Sequence, residues 1–330
     1  MKKIGTHNNC QEFVAGNLRL AVTTEVGPRI IGLYIGKSRF NHFVVLPPTP
    51  FPASDNGFIL YGGHRLWHSP EAMPRSYEPD NEPVKICEYD SGVEFSSGPA
   101  PSTGIEKKIL VEPLTNGLFC ITHTIANCGL WPIELAPWAM SMMAPGGTVV
   151  IPQNRDPDGN PYAPERTISL WPYARLNDPR LSFGDQHIFL RQDAKVKENF
   201  KLGLNNTAGW VAYLNHGQAF VKYFDYNPEA DYPDGGCTIE TFTCPQFTEV
   251  ETRGALEVLE PGECAQHVEY WQGIDGLPEI KSDDEVNEFL FPHLLASEEP
   301  GDCCCDEDDD ECCCGDEVDD CECDCGCHHK

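Results

Sequence analysis

Apolar and polar residues alternate in short runs along most of this chain, and turn residues separate the runs. Leu18, Leu20 and Val22 alternate with Arg19, Ala21 and Thr23, the period of a strand with one wet face. The same reading predicts strands at 29–35, 43–46, 84–89, 92–96, 105–112, 117–126, 131–136 and 149–151. After a long excursion over 152–185 they resume at 186–190, 208–213, 218–224, 237–243, 247–251, 255–258 and 264–271. Thr115-Asn-Gly117 and Asn127-Cys-Gly129 are turn signals between them. Ser282-Asp-Asp-Glu285 is a capping box, and Val286, Phe289 and Leu290 follow at helical spacing, which predicts a short helix over 283–291. Many short strands and one short helix predict an all-β fold, a large sandwich or barrel, as one domain over 1–297.

One stretch breaks the pattern. Within residues 57–83, His64, Arg65, His68, Glu71, Arg75, Tyr77, Asp80 and Glu82 crowd together. Gly62-Gly63 permits a tight turn before His64, and Pro70, Pro74, Pro79 and Pro83 forbid a long helix. The segment reads as an ordered, extended loop forming one wall of a binding cleft, with His64 and Arg65 facing in. The plain alternative is a structural loop whose charges pair with one another. His64 and His68 with Glu71 also offer a metal-ligand set, although the glycines and Pro70 argue against the helix that would align them.

Composition adds the limits. Asp and Glu number 52 against 23 Lys and Arg, a net charge of −29, which repels nucleic acid and anionic membranes, so neither is an expected partner. Seven cysteines are scattered through the body, an odd number that suggests no disulfide framework. The start, Met1-Lys-Lys-Ile4, leads into no apolar run, and no stretch approaches the roughly 18 apolar residues of a membrane helix. A cytoplasmic protein with reduced thiols is expected.

Residues 298–330 are a separate object, with fifteen acids and one base, Lys330. Almost nothing there is apolar except Val318, so this Cys/acid-rich tail is expected to be disordered by itself. Cys303, Cys304, Cys305, Cys312, Cys313, Cys314, Cys321, Cys323, Cys325 and Cys327 precede His328 and His329. Dense thiols with imidazoles are soft ligands, so Zn or Cu(I) is the expected tail partner, while nothing in the body calls for a cofactor. A solvating acidic tail, or one that forms disulfides, is the alternative.

Several stretches together resemble one family. They are Glu25-Val-Gly-Pro-Arg-Ile-Ile31, Tyr61-Gly-Gly-His-Arg-Leu-Trp-His68 with Tyr77-Glu-Pro-Asp-Asn81, Ala136-Pro-Trp138, Trp171-Pro-Tyr173 with Asp178-Pro-Arg180, Phe220-Val-Lys222, and Tyr232-Pro-Asp-Gly-Gly-Cys-Thr-Ile-Glu240. Residues 10–272 thereby resemble an uncharacterised family of the galactose-mutarotase-like superfamily, the aldose-epimerase supersandwich proteins. The resemblance implies a large antiparallel β-supersandwich and a carbohydrate ligand. In the epimerases a late-strand Glu removes the anomeric proton, and His residues protonate the ring oxygen and orient the sugar. Cys237-Thr-Ile-Glu240 is similar to the setting of that base, and Gly62-Gly-His64 to that of the first His. Trp138 stands where a second His belongs, with His68 or Arg65 as substitutes.

The expected function is carbohydrate binding with aldose 1-epimerase-like chemistry, Glu240 acting as base and His64 as acid or orienting group. Arg65, His68, Arg75, Tyr77, Asp80, Trp138 and Lys222 are the expected sugar contacts. Two alternatives stand beside it: a non-catalytic sugar-binding or structural module, and a metal-sequestering protein acting through its tail.

Overall fold

A computed structural model describes residues 2–155 and 159–295. The tail, with all its cysteines and histidines, lies outside the described residues. The rest is mostly β, folded as two large antiparallel sheets packed face to face.

The larger sheet runs in the order Lys2–Ile4, His7–Ala15, Leu18–Thr23, Arg29–Ile35, Gly63–Ser69, Ile133–Met143, Thr248–Arg253, Ile239–Thr243, Phe200–Leu204 and Ile168–Leu170, and Glu257–Leu259 also pairs with Ile133–Met143. The smaller runs Leu181–Phe183, His187–Arg191, Thr148–Pro152, Trp210–Asn215, Gln218–Phe224, Cys264–Asp275, Phe119–Asn127, Ile105–Pro113, Val93–Pro99 and Lys85–Glu88. Leu20, Leu66, Ile239 and Val250 of the larger sheet interlock with Ile109, Ile121, Val211, Phe220 and Trp271 of the smaller. Each fully buried aliphatic or aromatic side chain of this kind contributes roughly 1.5–3 kcal/mol.

The outer face of the smaller sheet is also covered. Val150, Phe189, Ala212, Val221 and Ile274 pack under Val286 and Leu290 of the C-terminal helical segment. That segment begins at the predicted cap, where Ser282 Oγ accepts from the Glu285 amide, and runs through Asp283–Glu285, Val286–Leu290 and Phe291–His293. None of the described helices is long and apolar enough to cross a membrane.

The structure corrects the loop expected over 57–83. Its centre, Gly63–Ser69, is a strand in the middle of the larger sheet, and all seven of its residues are buried. Gly62 and Gly63 have φ of 87° and 71°, and a Cβ on Gly62 would lie 2.1 Å from the Val44 carbonyl oxygen. Only glycine lets the chain enter the sheet this way. A strand covered on both faces shows no wet–dry alternation, so its polar residues look like a loop. Beyond Ser69 the chain does leave the sheet, through a single 3₁₀ turn at Arg75–Tyr77.

Candidate functional site

Successive residues of a strand point to opposite faces, so His64 and Arg65 cannot share a cleft. The structure therefore corrects the expectation that both face in. His64, Leu66 and His68 turn toward the smaller sheet, while Arg65 and Trp67 turn outward. Register extends the outward face across four neighbouring strands: Trp67 pairs with Trp138 and Trp138 with Arg253, while Arg65 pairs with Met140, Met140 with Glu251 and Glu251 with Glu240. The next row is Met142, Glu249, Phe242 and Lys201.

A cleft of about 370 Å³ opens on this outward face, within the size range of small-ligand sites. Arg65, Trp67, Trp138, Met140, Lys201, Phe242 and Glu249 form its floor. Phe51, Phe58, Tyr77 and Glu71 close one side, and Tyr173, Asn199 and Phe247 the other. Tyr77 stacks on Phe51 at 5.5 Å and donates its hydroxyl to Glu71.

The charges in and under the floor are paired. Arg65 reaches Glu249 at 3.0 Å and lies 4.6 Å over the Trp67 ring. Lys201 reaches Glu240 at 2.8 Å and Glu251 at 3.1 Å. Its ammonium sits between two indoles, 4.7 Å from Trp138 and 4.8 Å from Trp171. Trp138 donates its ring N–H to Glu251 at 2.8 Å. Arg253 reaches Glu240 at 2.6 Å, lies 4.4 Å over Trp138, donates to Ser69 Oγ at 2.7 Å and pairs with Asp234.

These surroundings set the ionisation. Burial raises Glu240 to about 7, outweighing the opposing Lys201 and Arg253. Burial also raises Glu249, against the pull of Arg65. For Lys201 burial opposes the charge, but Glu251 and Glu240 overcome it and hold the ammonium above the usual lysine range.

Of the expected residues, the structure brings Arg65, Tyr77 and Trp138 to the cleft. Glu240 is on the cleft's face but fully buried beside Lys201. The others lie elsewhere. Asp80 is buried in an ion pair with Arg29 at 2.8 Å. Arg75 donates to the Pro70 carbonyl. His68 is buried on the inner face, and burial lowers it to about 3. It stands four strand residues from His64, roughly 13 Å, too far to share an ion with it.

His64 and Lys222 meet instead in a sealed cluster between the sheets. His64 Nδ1 is 2.9 Å from Ser141 Oγ, and its Nε2 is 2.7 Å from His123 Nε2. His123 Nδ1 donates to the His267 carbonyl at 2.9 Å, so the proton between the two rings belongs to His64. Lys222 reaches Glu269 at 2.6 Å, and Glu269 accepts from Trp271 at 2.7 Å. His64, His123 and Glu269 hold donor atoms within 4.8 Å of one another, a set that suits a metal. Each ring nitrogen of the two histidines already has a protein partner, and the ammonium already balances the carboxylate.

Sequence reasoning missed Lys201, Glu249, Glu251 and Arg253. A signal exists for three of them. Glu249, Glu251 and Arg253 recur every second residue around Val250, which puts three charges on one face of a strand. Lys201 has no such mark, because its partners come from two other strands.

No protein-family model matches the chain, and no curated protein matches it in sequence. Solved structures do. A galactose mutarotase-like protein from Lactobacillus casei matches with a TM-score of 0.50 at 10% identity, over 80% of this chain and 100% of that one. A protein from Klebsiella pneumoniae provisionally described as an aldose 1-epimerase matches at 0.52 and 10% identity, over 82% of this chain and 79% of that one. The Slr1438 protein of Synechocystis matches at 0.51 and 10% identity, over 83% and 99%. The fold is thus galactose-mutarotase-like, as the resemblance implies.

Proposed function

We propose that this chain binds a carbohydrate in the cleft on the outward face of its larger sheet. The observation that carries this reading is the cleft's make-up: aromatic walls from Tyr77, Tyr173 and Phe247 around ion-paired Arg65, Glu249 and Lys201. A sugar ring presents apolar C–H faces and a rim of hydroxyls. Aromatic surfaces suit the first, and fixed charged groups that donate and accept suit the second. The fold shared with galactose mutarotase-like proteins supports the reading. Epimerase chemistry by Glu240 with His64 is not supported, because the sheet itself separates the imidazole from the cleft.

Saturation-transfer NMR with glucose, galactose, mannose, xylose and their phosphates tests binding. Signal from at least one sugar is expected, weakened about tenfold by Tyr173→Ala, whose ring is half-exposed at the cleft's edge and belongs to none of the described core clusters. Silence across the panel would remove the carbohydrate reading.

A second reading concerns the tail, and it rests on ten thiols and two imidazoles within residues 303–329. We infer that it takes up Zn or Cu(I) independently of the cleft. Elemental analysis of the chain with and without residues 298–330 decides it: metal is expected with the whole chain and lost on truncation.

A further inference from the structure

Ring opening of an aldose needs a group that takes the anomeric proton and another that supplies one to the ring oxygen. Among the described residues no histidine lines the cleft. Lys201 and Glu249 do, and each has unspent capacity. An ammonium carries three N–H donors. Lys201 donates one to Glu251 and lies 2.8 Å from Glu240 as an ion pair, and no further acceptor meets its ammonium among the described residues, although the side chain is 95% buried. Indoles on two sides fix the ammonium in place. Glu249 gives one oxygen to Arg65, and its other has no partner among the described residues. Both residues pair in register with Phe242, one from each side, so their backbones stand two strand spacings apart, roughly 9.6 Å. Phe242 lies between them as an aromatic floor.

We propose that Glu249 and Lys201 are the acid–base pair that opens and recloses an aldose ring held over Phe242, with Glu240 resupplying Lys201. This rests on the carbohydrate reading above. Glu249 takes the proton from the hydroxyl on C1. The C1–O5 bond breaks, its electron pair goes to O5, and the C1 carbonyl forms. O5 takes a proton from Lys201 Nζ, and Glu240, 2.8 Å away, returns one to the amine. Rotation about C1–C2 and the reverse steps give the other anomer, with every proton back where it began. No oxidant or co-reactant enters. A carboxyl raised to about 7 is partly protonated at neutral pH, as a resupplying group must be. The assignment also accounts for Trp138 where an imidazole is expected: the proton comes from Lys201 on another strand, and the indole holds it.

The test is anomer exchange of the panel sugars by magnetisation-transfer NMR on the full chain, alongside binding by saturation transfer. Wild type is expected to accelerate exchange. Lys201→Met and Glu249→Gln are each expected to lose 100-fold or more in exchange rate while sugar binding weakens far less. The wild-type rate should rise with pH as Glu249 loses its proton and fall again above about pH 7 as Glu240 loses the proton it returns, and Glu249→Gln should lack the rise. Lys201→Met leaves Glu251 without its cation and Glu240 with Arg253 alone, so Lys201→Met/Glu240→Gln, which removes one charge of each sign, serves where the single variant does not fold. Sugar binding by wild type without faster exchange overturns the pair and leaves the carbohydrate reading standing. Exchange that survives loss of Lys201 also overturns it. No binding to any sugar overturns both.

Discussion

The two faces of the larger sheet border the same kinds of side chain, which serve different ends. Against the inner face, His64 meets His123, His267, Lys222 and Glu269 of the smaller sheet, and all are buried between the sheets. On the outer face, Arg65, Lys201, Glu240, Glu249, Glu251 and Arg253 are buried almost as deeply, yet Arg65, Lys201 and Glu249 border open space. Consecutive residues, His64 and Arg65, belong one to each. Burial and ion pairing therefore do not separate a site from a structural network. What separates them is spare hydrogen-bonding capacity beside a cavity, present outside and absent around His64. The inner network should matter for stability alone, and the outer one for ligand.

The largest expected effect is acid unfolding driven from the inner face. Burial lowers His68, His123 and His267 to about 3, and it lowers His64 well below its ordinary value. These histidines are neutral when folded and near 6.5 when unfolded. Their contribution to stability is fully present above pH 6.5 and is lost as pH falls toward 3. Three or four such groups give a slope of roughly 4–5 kcal/mol per pH unit once the unfolded chain is protonated. Urea midpoints measured between pH 7 and 4 should fall steeply. A flat profile would mean that these imidazoles are not sealed.

Next in size is Lys222→Met. It leaves the Glu269 carboxylate buried without its cation, and breaking such a pair costs about 3–5 kcal/mol. Equilibrium denaturation should show that loss, while the folded fraction keeps its affinity for whichever sugar the panel identifies. A stable Lys222→Met protein with weakened sugar binding would reverse the division between the faces.

How much of this was legible depends on where each residue's partners lie. Phe119–Asn127 and Ile105–Pro113 have one buried and one wetter face, so local alternation marks them. The helical segment announced itself through Ser282 and Glu285, which are three residues apart. Gly63–Ser69 could not be read, because its inner partners are Ser141 and His123 and its outer partners are Glu249 and Arg253, all distant in sequence. Reading that strand as a loop then placed His64 in a cleft. The density of chemistry there did point to the right strand, and Arg65 with Tyr77 do reach the cleft. Lys222 looked like a cleft cation for the same reason: an isolated lysine among strand apolars does not disclose which face its strand buries.

The smallest effect is the one that sets the two faces against each other in sign. Glu240 has a folded pKa of about 7 against an ordinary 4.5. Between those values the folded chain keeps a proton that the unfolded chain has released. Raising the pH from 4.5 to 7 therefore removes stability through Glu240, the reverse of the histidines' effect, by roughly 3 kcal/mol at the limit. Glu240→Gln deletes that titration but keeps the shape and a carbonyl oxygen for Lys201 and Arg253. It also weakens their charge balance, which adds a nearly constant offset. The variant's stability relative to wild type should therefore climb from pH 5 to about pH 7 and level off above it. Urea denaturation of both proteins at half-unit steps measures this difference directly. Two parallel curves would show that Glu240 is ionised throughout, and it would then have no proton to return to Lys201 at neutral pH.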